Sequence, residues 1–327
     1  MKVDLSVVVP VFNEEENLPE LHRRLSQVLA GLVHSWEVLF VDDGSRDRSW
    51  EIIRQLAEQD PHVRGLRFSR NFGHQMAFAA GLDHARGEAV VIMDADLQDP
   101  PELIPQLLAK HREGFEVVYA VRTARHGESL FKKLTASLFY RLLVRITAVH
   151  IPLDTGDFRL MGRRAVEAFR RLPERHRFTR GLVAWLGFRQ TGVPYERAPR
   201  YKGSTKYPLR KMVRFALDAI TSFSHVPLQV ATWLGFLVSA FAFVYILVVL
   251  ALKFAGVSWP GYTSLMAAIL FLGGVQLTMV GLLGEYVGRI YDEVKQRPLY
   301  LVAEVAGTLP EAGEFPAGHG QLEVHPS

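Results

Sequence analysis

Two carboxylates one residue apart, Asp94 and Asp96, follow a short apolar segment at residues 90–93. The segment is rich in β-branched residues, which is typical of a buried strand. Pro100 and Pro101 come soon after, and proline cannot continue a central strand, so the acids lie at its C-terminal end. In an open parallel sheet, ligands bind outside the carboxyl ends of the strands.

The two carboxylates of such a pair repel each other unless a cation lies between them. Mg²⁺ and Mn²⁺ prefer oxygen ligands, typically one or two protein carboxylates together with phosphate oxygens of a substrate. The pattern therefore predicts a metal–diphosphate site on Asp94 and Asp96, with Gln98 as a further oxygen ligand. The alternative is a solvated acidic turn, because Asp-x-Asp is a short motif that occurs in many contexts.

Earlier strands are expected to bring polar residues to the same edge. Apolar segments at 5–11, 37–41 and 63–68 alternate with helical patterns, which is typical of a doubly wound parallel sheet. Glu14 follows the first segment and Asp43 the second, and either could accept hydrogen bonds from a nucleobase or ribose. The chain has neither a Gly-x-Gly-x-x-Gly loop nor a Walker loop, so metal is expected to hold the phosphates.

Three basic residues could reach those phosphates, although each could also be an ordinary surface charge. Arg122 follows a predicted strand at 116–121, whereas Arg200 and Lys206 belong to a basic loop with glycine and serine. Arginine suits bidentate phosphate contacts, and lysine acts as a point charge.

Two apolar stretches, 228–252 and 264–283, are long enough to cross a hydrocarbon core, which needs about 20 residues. They predict a transmembrane hairpin; the alternative is a pair of buried helices in a soluble core. Lysines and arginines flank both outer ends, whereas the loop at 253–262 has one lysine, so the catalytic domain and the C-terminus are predicted to be cytoplasmic. Gly273 and Gly274 permit the close helix packing of a homo-oligomer.

Composition narrows the class of protein further. The absence of cysteine from all 327 residues excludes disulfides and thiolate metal sites. The N-terminus begins with a strand pattern, so no cleavable signal peptide is predicted. We interpret the net charge of +4 as attraction to a membrane surface, since no nucleic-acid-binding motif is present. An integral protein of the cytoplasmic membrane is expected.

These patterns predict four parts of the chain. They are a catalytic domain at 1–206, a juxtamembrane amphipathic helix at 207–227, two transmembrane helices within 228–288 (about 228–252 and 263–288), and a partly disordered cytoplasmic tail at 289–327. Beyond residue 302 the mixture of Gly, Ala, Pro and Glu predicts disorder. A basic amphipathic helix at 128–150 either lies in the membrane interface or packs on its own domain.

Four motifs together resemble those of a known enzyme family. They are Pro10-Val11-Phe12-Asn13-Glu14, Val41-Asp42-Asp43-Gly44-Ser45, Met93-Asp94-Ala95-Asp96-Leu97-Gln98 and Gly156-Asp157-Phe158-Arg159. Their order and spacing are similar to those of family 2 glycosyltransferases. Over roughly residues 5–301 the chain resembles the polyprenyl-phosphate glycosyltransferases, the group with dolichyl-phosphate mannose synthase and bacterial undecaprenyl-phosphate glucosyltransferases.

The resemblance implies an α/β fold of the GT-A type, with a Rossmann-like, mostly parallel sheet, then amphipathic interface helices and a two-helix transmembrane hairpin. It implies transfer of a hexose from a nucleotide diphosphate sugar to membrane polyprenyl phosphate, with inversion at the anomeric carbon. UDP-glucose is the expected donor and GDP-mannose the alternative. A processive polysaccharide synthase is a further alternative, as is a non-catalytic membrane scaffold with a degenerate transferase domain.

The resemblance also implies roles for single residues. Asp94, Asp96 and Gln98 would hold Mg²⁺ or Mn²⁺, and the catalytic residues would be Asp96 and Asp157, the latter matching the proposed base of the bacterial branch. The acceptor phosphate is mostly deprotonated at neutral pH, so we expect Asp157 to orient the acceptor or the sugar. Donor or phosphate contacts would come from Pro10, Phe12, Glu14, Val41, Asp43, Ala95, Arg122, Arg200 and Lys206.

Overall fold

The computed structural model describes residues 3–122, 155–175, 177–196, 226–256 and 261–308. The chain divides into two compact units: one contains the sheet and takes up the chain again from Arg297, and the other contains two long helices. The predicted amphipathic helix at 128–150 lies outside the described residues, as do residues 207–225 of the helix predicted at 207–227, Arg200 and Lys206.

One sheet organises the first unit and confirms the predicted α/β class. Its strands are β1 (Val3–Val11), β2 (Trp36–Asp42), β3 (Val63–Phe68), β4 (Gly87–Ile92), β5 (Val117–Arg122), β6 (Thr155–Gly162), β7 (Gln190–Tyr195) and β8 (Val302–Ala306). Their spatial order is β7-β5-β6-β4-β1-β2-β3-β8. The ladders among β1 to β4 are parallel, but β6 runs antiparallel to both β4 and β5.

Helices connect the strands. They are α1 (Leu18–Ala30), α2 (Ser49–Gln59), α3 (His74–His84), α4 (Ile104–Arg112), which follows a 3₁₀ turn at Pro101–Leu103, α5 (Arg163–Arg170) and α6 (Thr179–Trp185). The central strands are buried on both sides, with Val7, Phe40 and Val91 inaccessible to solvent. Such strands are continuously apolar rather than alternating, which explains why the sequence pattern revealed them.

Among the described residues, the second unit is made of α7 (Val226–Phe254) and α8 (Tyr262–Lys295). Among the described residues, one helix is long and apolar enough to cross a membrane: Leu228–Phe254, with a mean hydropathy of 2.7. Its large side chains, such as Trp233 and Phe241, are exposed. A helix that is apolar all round and not covered by protein is typical of a membrane span.

The chain after α8 rejoins the sheet, so the prediction of disorder beyond residue 302 is wrong for Val302–Ala306. This segment forms β8, antiparallel to β3. Glu304 accepts hydrogen bonds from Trp50 Nε1 at 2.9 Å and from Arg67 Nη1 at 2.7 Å. Composition indicates whether a segment can form structure by itself. The segment that forms β8 is stabilised instead by pairing with β3, at the edge of the sheet.

Tyr300 anchors this return of the chain. Its side chain is 1% exposed and stacks on Phe68 with ring centroids 5.1 Å apart. The hydroxyl donates to Asp83 Oδ2 at 3.0 Å, and the Ser69 amide donates to the Leu301 carbonyl at 3.0 Å. The segment at 297–306 therefore supports the loop that follows β3.

We expect Tyr300→Ala to lower the free energy of unfolding by about 3–5 kcal/mol, the usual cost of removing a large buried ring. The matched control is Leu301→Ala, because Leu301 is 43% exposed and its carbonyl bond is kept; its cost should stay near 0.5 kcal/mol. Urea unfolding in detergent, followed by tryptophan fluorescence, measures both values. Equal midpoints for Tyr300→Ala and wild type would show that the anchor is unimportant.

Candidate active site

The carboxyl edge of β4 and the start of β6 bring two acids together. Ala89 pairs with Gly162 and Ile92 with Arg159, and the same register continued past β4 sets Asp94 opposite Asp157. Asp94 is partly exposed, whereas Asp157 is buried. The antiparallel direction of β6 thus brings together two acids that are far apart in the sequence.

His74 lies between these two carboxylates. Its Nε2 atom is 3.5 Å from Asp94 Oδ1 and 3.4 Å from Asp157 Oδ2. Burial alone would lower the pKa of His74, but the hydrogen bond to Asp157 and the two negative charges outweigh it and raise the pKa to about 9. The ring is therefore an imidazolium at neutral pH.

Two arginines also contact Asp157. Arg180, from α6, donates from Nε to Oδ1 at 2.9 Å and from Nη2 to Oδ2 at 3.3 Å. Arg159 Nη2 lies 3.6 Å from Oδ1. Burial would raise the pKa of Asp157, but the His74 hydrogen bond and the two guanidinium charges hold it far below its ordinary value. The group stays ionised and is a weak base.

Asp94 has the opposite electrostatic environment. Burial raises the pKa of Asp94 to about 6; the charge of His74 opposes this rise, and the charges of Asp99, Asp157 and Asp96 add to it. Asp94 thus lies beside three other acids with His74 as a cationic neighbour, and a divalent cation would offset the repulsion among these carboxylates. This half of the site attracts a cation.

A tight turn holds the second acid of the motif. Asp96 is buried and its Oδ1 accepts the Gln98 amide at 3.1 Å. Leu97 between them has a φ of 59°, in the left-handed region, and Ala95 is buried beneath the turn. The turn keeps the carboxylates of the motif at the edge of the sheet.

The donor atoms at this edge fit a divalent ion that is completed by a substrate. Asp94 and Asp96 supply carboxylate oxygens, and Gln98 can supply an amide oxygen. Within the described residues, no three His, Asp or Glu side chains are grouped closely enough to hold a metal by themselves. Mg²⁺ commonly takes one or two carboxylates and fills its other positions with water and phosphate oxygens.

Asp43 fixes the loop that leads to His74. Its Oδ1 accepts the amides of Phe72 at 2.7 Å and Gly73 at 3.1 Å, and its Oδ2 accepts Gly73 at 3.0 Å. Gly44 allows the loop to approach: its φ is 70°, and a Cβ there would lie 2.6 Å from the Arg70 carbonyl carbon. A nucleoside contact by Asp43, as predicted, would use the lone pairs that remain.

The other predicted nucleoside residues differ in how accessible they are. Phe12 is 44% exposed and Glu14 is partly exposed, and both residues follow the end of β1. Pro10 and Val41 are buried within the sheet, so neither side chain is open to solvent at its edge. The Asn13 amide donates to Ser45 Oγ at 2.9 Å, which joins the ends of the first two strands.

Arg122 lies at the end of β5, beside the start of β6. Its Nε donates to the Tyr195 hydroxyl at 3.4 Å, and that hydroxyl donates to Asp99 Oδ1 at 2.7 Å. A Cβ at Gly156 would lie 2.8 Å from Arg122 Nη2, so a larger residue there would require the guanidinium to shift. Arg122 thus lies beside Gly156, the residue before Asp157.

The sequence analysis did not select His74, Arg159, Arg180 or Tyr195. His74 had a usable signal, because it follows β3 at the same sheet edge as Asp43. Arg159 lies two residues from Asp157 on one strand, where alternate side chains share a face. Arg180 and Tyr195 gave no local signal, since only the packing of α6 and β7 brings them to this edge.

Comparisons with known proteins agree with these features. Residues 6–170 match the model of the family "Glycosyl transferase family 2", and residues 226–290 match "GtrB C-terminal hairpin". The uncharacterized glycosyltransferase YkcC of Bacillus subtilis is 52% identical over 306 residues, 93% of this chain and 95% of that protein. The SfII prophage-derived bactoprenol glucosyl transferase of Shigella flexneri is 45% identical over 300 residues, 91% and 97% of the two chains.

A solved structure, glucosyl-3-phosphoglycerate synthase from Mycobacterium tuberculosis with Mn²⁺, UDP and glucosyl-3-phosphoglycerate, has a TM-score of 0.46 and 21% identity, over 67% of this chain and 78% of that chain. The sequence matches are much stronger, and they extend across both the sheet and the helical pair. The chain therefore belongs to glycosyl transferase family 2 and, within it, is a polyprenyl-phosphate glycosyltransferase.

Proposed function

We propose that this enzyme transfers glucose from UDP-glucose to polyprenyl phosphate and inverts the anomeric carbon. The Shigella flexneri relative is a bactoprenol glucosyl transferase, which supports glucose as the sugar and a polyprenyl carrier as the acceptor. The structural observation that carries the proposal is the division of one sheet edge into a cation-attracting half at Asp94 and an arginine-lined half at Asp157. A metal–diphosphate and an acceptor phosphate need these two environments.

The cation-attracting half would hold Mg²⁺ or Mn²⁺ on Asp94 and Asp96, with Gln98 as a further ligand. When bound, such an ion offsets the charge of the diphosphate and stabilises it as a leaving group. The chain's own contribution is to hold the two carboxylates still, through the Asp96–Gln98 turn and the contact between Asp94 and His74.

The nucleoside would lie against the ends of β1 and β2. Exposed Phe12 offers an apolar surface, Glu14 and Asp43 offer hydrogen-bond acceptors, and Pro10 and Val41 form the floor. Arg122 would contact a phosphate of the donor or acceptor from the end of β5. Arg200 and Lys206 remain predicted phosphate contacts.

In the arginine-lined half, Asp157 would position the acceptor rather than remove a proton. Three cationic side chains, His74, Arg159 and Arg180, contact this carboxylate and hold it ionised in one place, beside which an acceptor phosphate can bind. A phosphate monoester has its second pKa at about 6, so near pH 7 the acceptor oxygen is already a nucleophile. The low pKa of Asp157 gives a second reason against a role as base.

The membrane is where the acceptor lies, and the chain associates with it through α7 and the matched hairpin. Because β8 pairs with β3, the chain before α7 and the chain after α8 belong to one folded unit. This supports an even number of crossings, with both ends on one side. The flanking lysines and arginines favour the cytoplasmic side of the cytoplasmic membrane.

A donor panel tests the overall proposal. Purified enzyme in detergent is given Mn²⁺ and UDP-glucose, UDP-galactose, UDP-N-acetylglucosamine or GDP-mannose, with or without undecaprenyl phosphate. We expect fast release of UDP only from UDP-glucose with lipid, together with a glucosylated lipid seen by mass spectrometry. Preference for GDP-mannose would instead support the mannose synthase alternative, and no lipid-dependent release from any donor would support the scaffold.

Removing the metal ligands tests the cation-attracting half. Loss of an outer partner of a metal site costs about 10–100-fold, so the double variant Asp94→Ala/Asp96→Ala should lose at least about 100-fold in kcat/KM. Treatment with chelator should give a similar loss that Mn²⁺ restores in wild type alone. Glu113→Gln, an exposed acid paired with Lys110, is the control. Full activity of the double variant or of chelated enzyme would refute the metal site.

The pH dependence tests the role of Asp157. The pKa of this group lies far below the assay range, so it does not titrate between pH 6 and 8. We expect Asp157→Asn to lower kcat by roughly 100-fold, as misplacement of a substrate does, and by the same factor at each pH. A defect that largely recovers at pH 8, where the acceptor phosphate has lost its last proton, would assign base catalysis instead.

A further inference from the structure

The starts of α3 and α6 meet beside Asp157. α3 begins with His74 and Gln75, and α6 begins with Thr179 and Arg180. Gln75 Oε1 accepts the Thr179 amide at 3.1 Å and also the Thr179 hydroxyl. Gln75 and Thr179 therefore join the two helices, while His74 and Arg180 contact Asp157.

Arg180 forms a bidentate contact with the Asp157 carboxylate that fixes the orientation of this carboxylate. Two different nitrogens of one planar guanidinium reach the two oxygens of Asp157. Such bidentate pairs determine the direction of the carboxylate plane as well as its charge. That direction decides where Oδ2, the oxygen next to His74, lies relative to Asp94.

We propose that Arg180 is a positioning residue for the transfer reaction, acting through Asp157, and that the Gln75–Thr179 contact holds Arg180 in place. The inference rests on the proposed function and adds a residue to its arginine-lined half. Arg180 acts through Asp157 rather than on the donor, because its guanidinium spans both carboxylate oxygens. Its effect should appear in the transfer step and not in nucleotide binding.

The fold should tolerate changes of Arg180. The buried residues of α6 are Thr179, Gly181, Leu182 and Val183, whereas the Arg180 side chain is partly exposed. Packing of this helix therefore depends on its apolar residues. Arg164 offers a matched control, since it is an arginine 78% exposed on α5 and lies 3.5 Å from Glu116, outside the site.

The test compares Arg180→Gln, Arg180→Lys, Gln75→Leu and Arg164→Gln in the full chain. We expect Arg180→Gln to lower kcat by roughly 100-fold, the scale of a 1 Å misplacement. The KM for the sugar nucleotide and the affinity for UDP, from calorimetry, should stay within about threefold. Arg180→Lys should have a kcat between those of wild type and Arg180→Gln, because lysine keeps the charge but not the bidentate contact. Arg164→Gln should match wild type.

A double variant separates positioning from an independent role. Since Arg180 acts through Asp157, Arg180→Gln/Asp157→Asn should be no slower than Asp157→Asn alone. Independent, multiplying defects would overturn the proposal, as would an unchanged kcat in folded Arg180→Gln. If Arg180→Gln does not fold, Gln75→Leu decides, because it removes the acceptor of both hydrogen bonds from Thr179. A fall in kcat with UDP affinity kept supports the proposal, and an unchanged kcat overturns it.

These outcomes are distinct from failure of the proposed function. The comparison uses whichever donor wild type accepts in the panel, so a sugar other than glucose would leave the Arg180 result interpretable. If wild type showed no lipid-dependent transfer with any donor, the proposed function and this inference would both be refuted. A normal wild type with an unaffected Arg180→Gln would refute this inference alone.

Discussion

Repulsion among carboxylates at one edge of the sheet is the constraint on which the site depends. Four acids are close enough to influence one another: Asp94, Asp96, Asp99 and Asp157. The cationic side chains, however, are concentrated around Asp157. His74, Arg159 and Arg180 all contact Asp157, so its pKa falls, whereas burial leaves Asp94 with a raised one. Titratable neighbours whose pKa values are driven apart are typical of sites with divided chemical roles.

The sheet makes this asymmetry possible. β6 is inserted antiparallel between β4 and β5, so the start of one strand meets the end of another. A parallel strand in that place would carry Asp157 to the opposite edge. Arg159 lies on β6 itself and Arg180 on α6, whereas the acids of the metal motif follow β4. One strand direction therefore separates the two kinds of charge.

Sequence reasoning found the parts of the site that local pattern determines. Asp94 and Asp43 follow apolar strands directly, so the end of the strand reveals the edge, and the motif resemblance supplied Asp157. It could not reveal Arg180, whose position depends on how a seven-residue helix packs. It was wrong about Val302–Ala306, because the stability of an edge strand comes from the partner strand and not from its own composition. Arg200 and Lys206 lie outside the described residues.

The late arrival of β8 has a consequence for biosynthesis. A ribosome releases the N-terminal strands first, and domains generally begin to fold during synthesis. Here the last strand of the sheet is encoded after both long helices, so β3 keeps an open edge until those helices have emerged. Open strand edges invite pairing with other chains. Completion of the catalytic domain is thereby tied to delivery of the apolar helices, and nascent chains that stall before residue 302 would carry an unprotected edge.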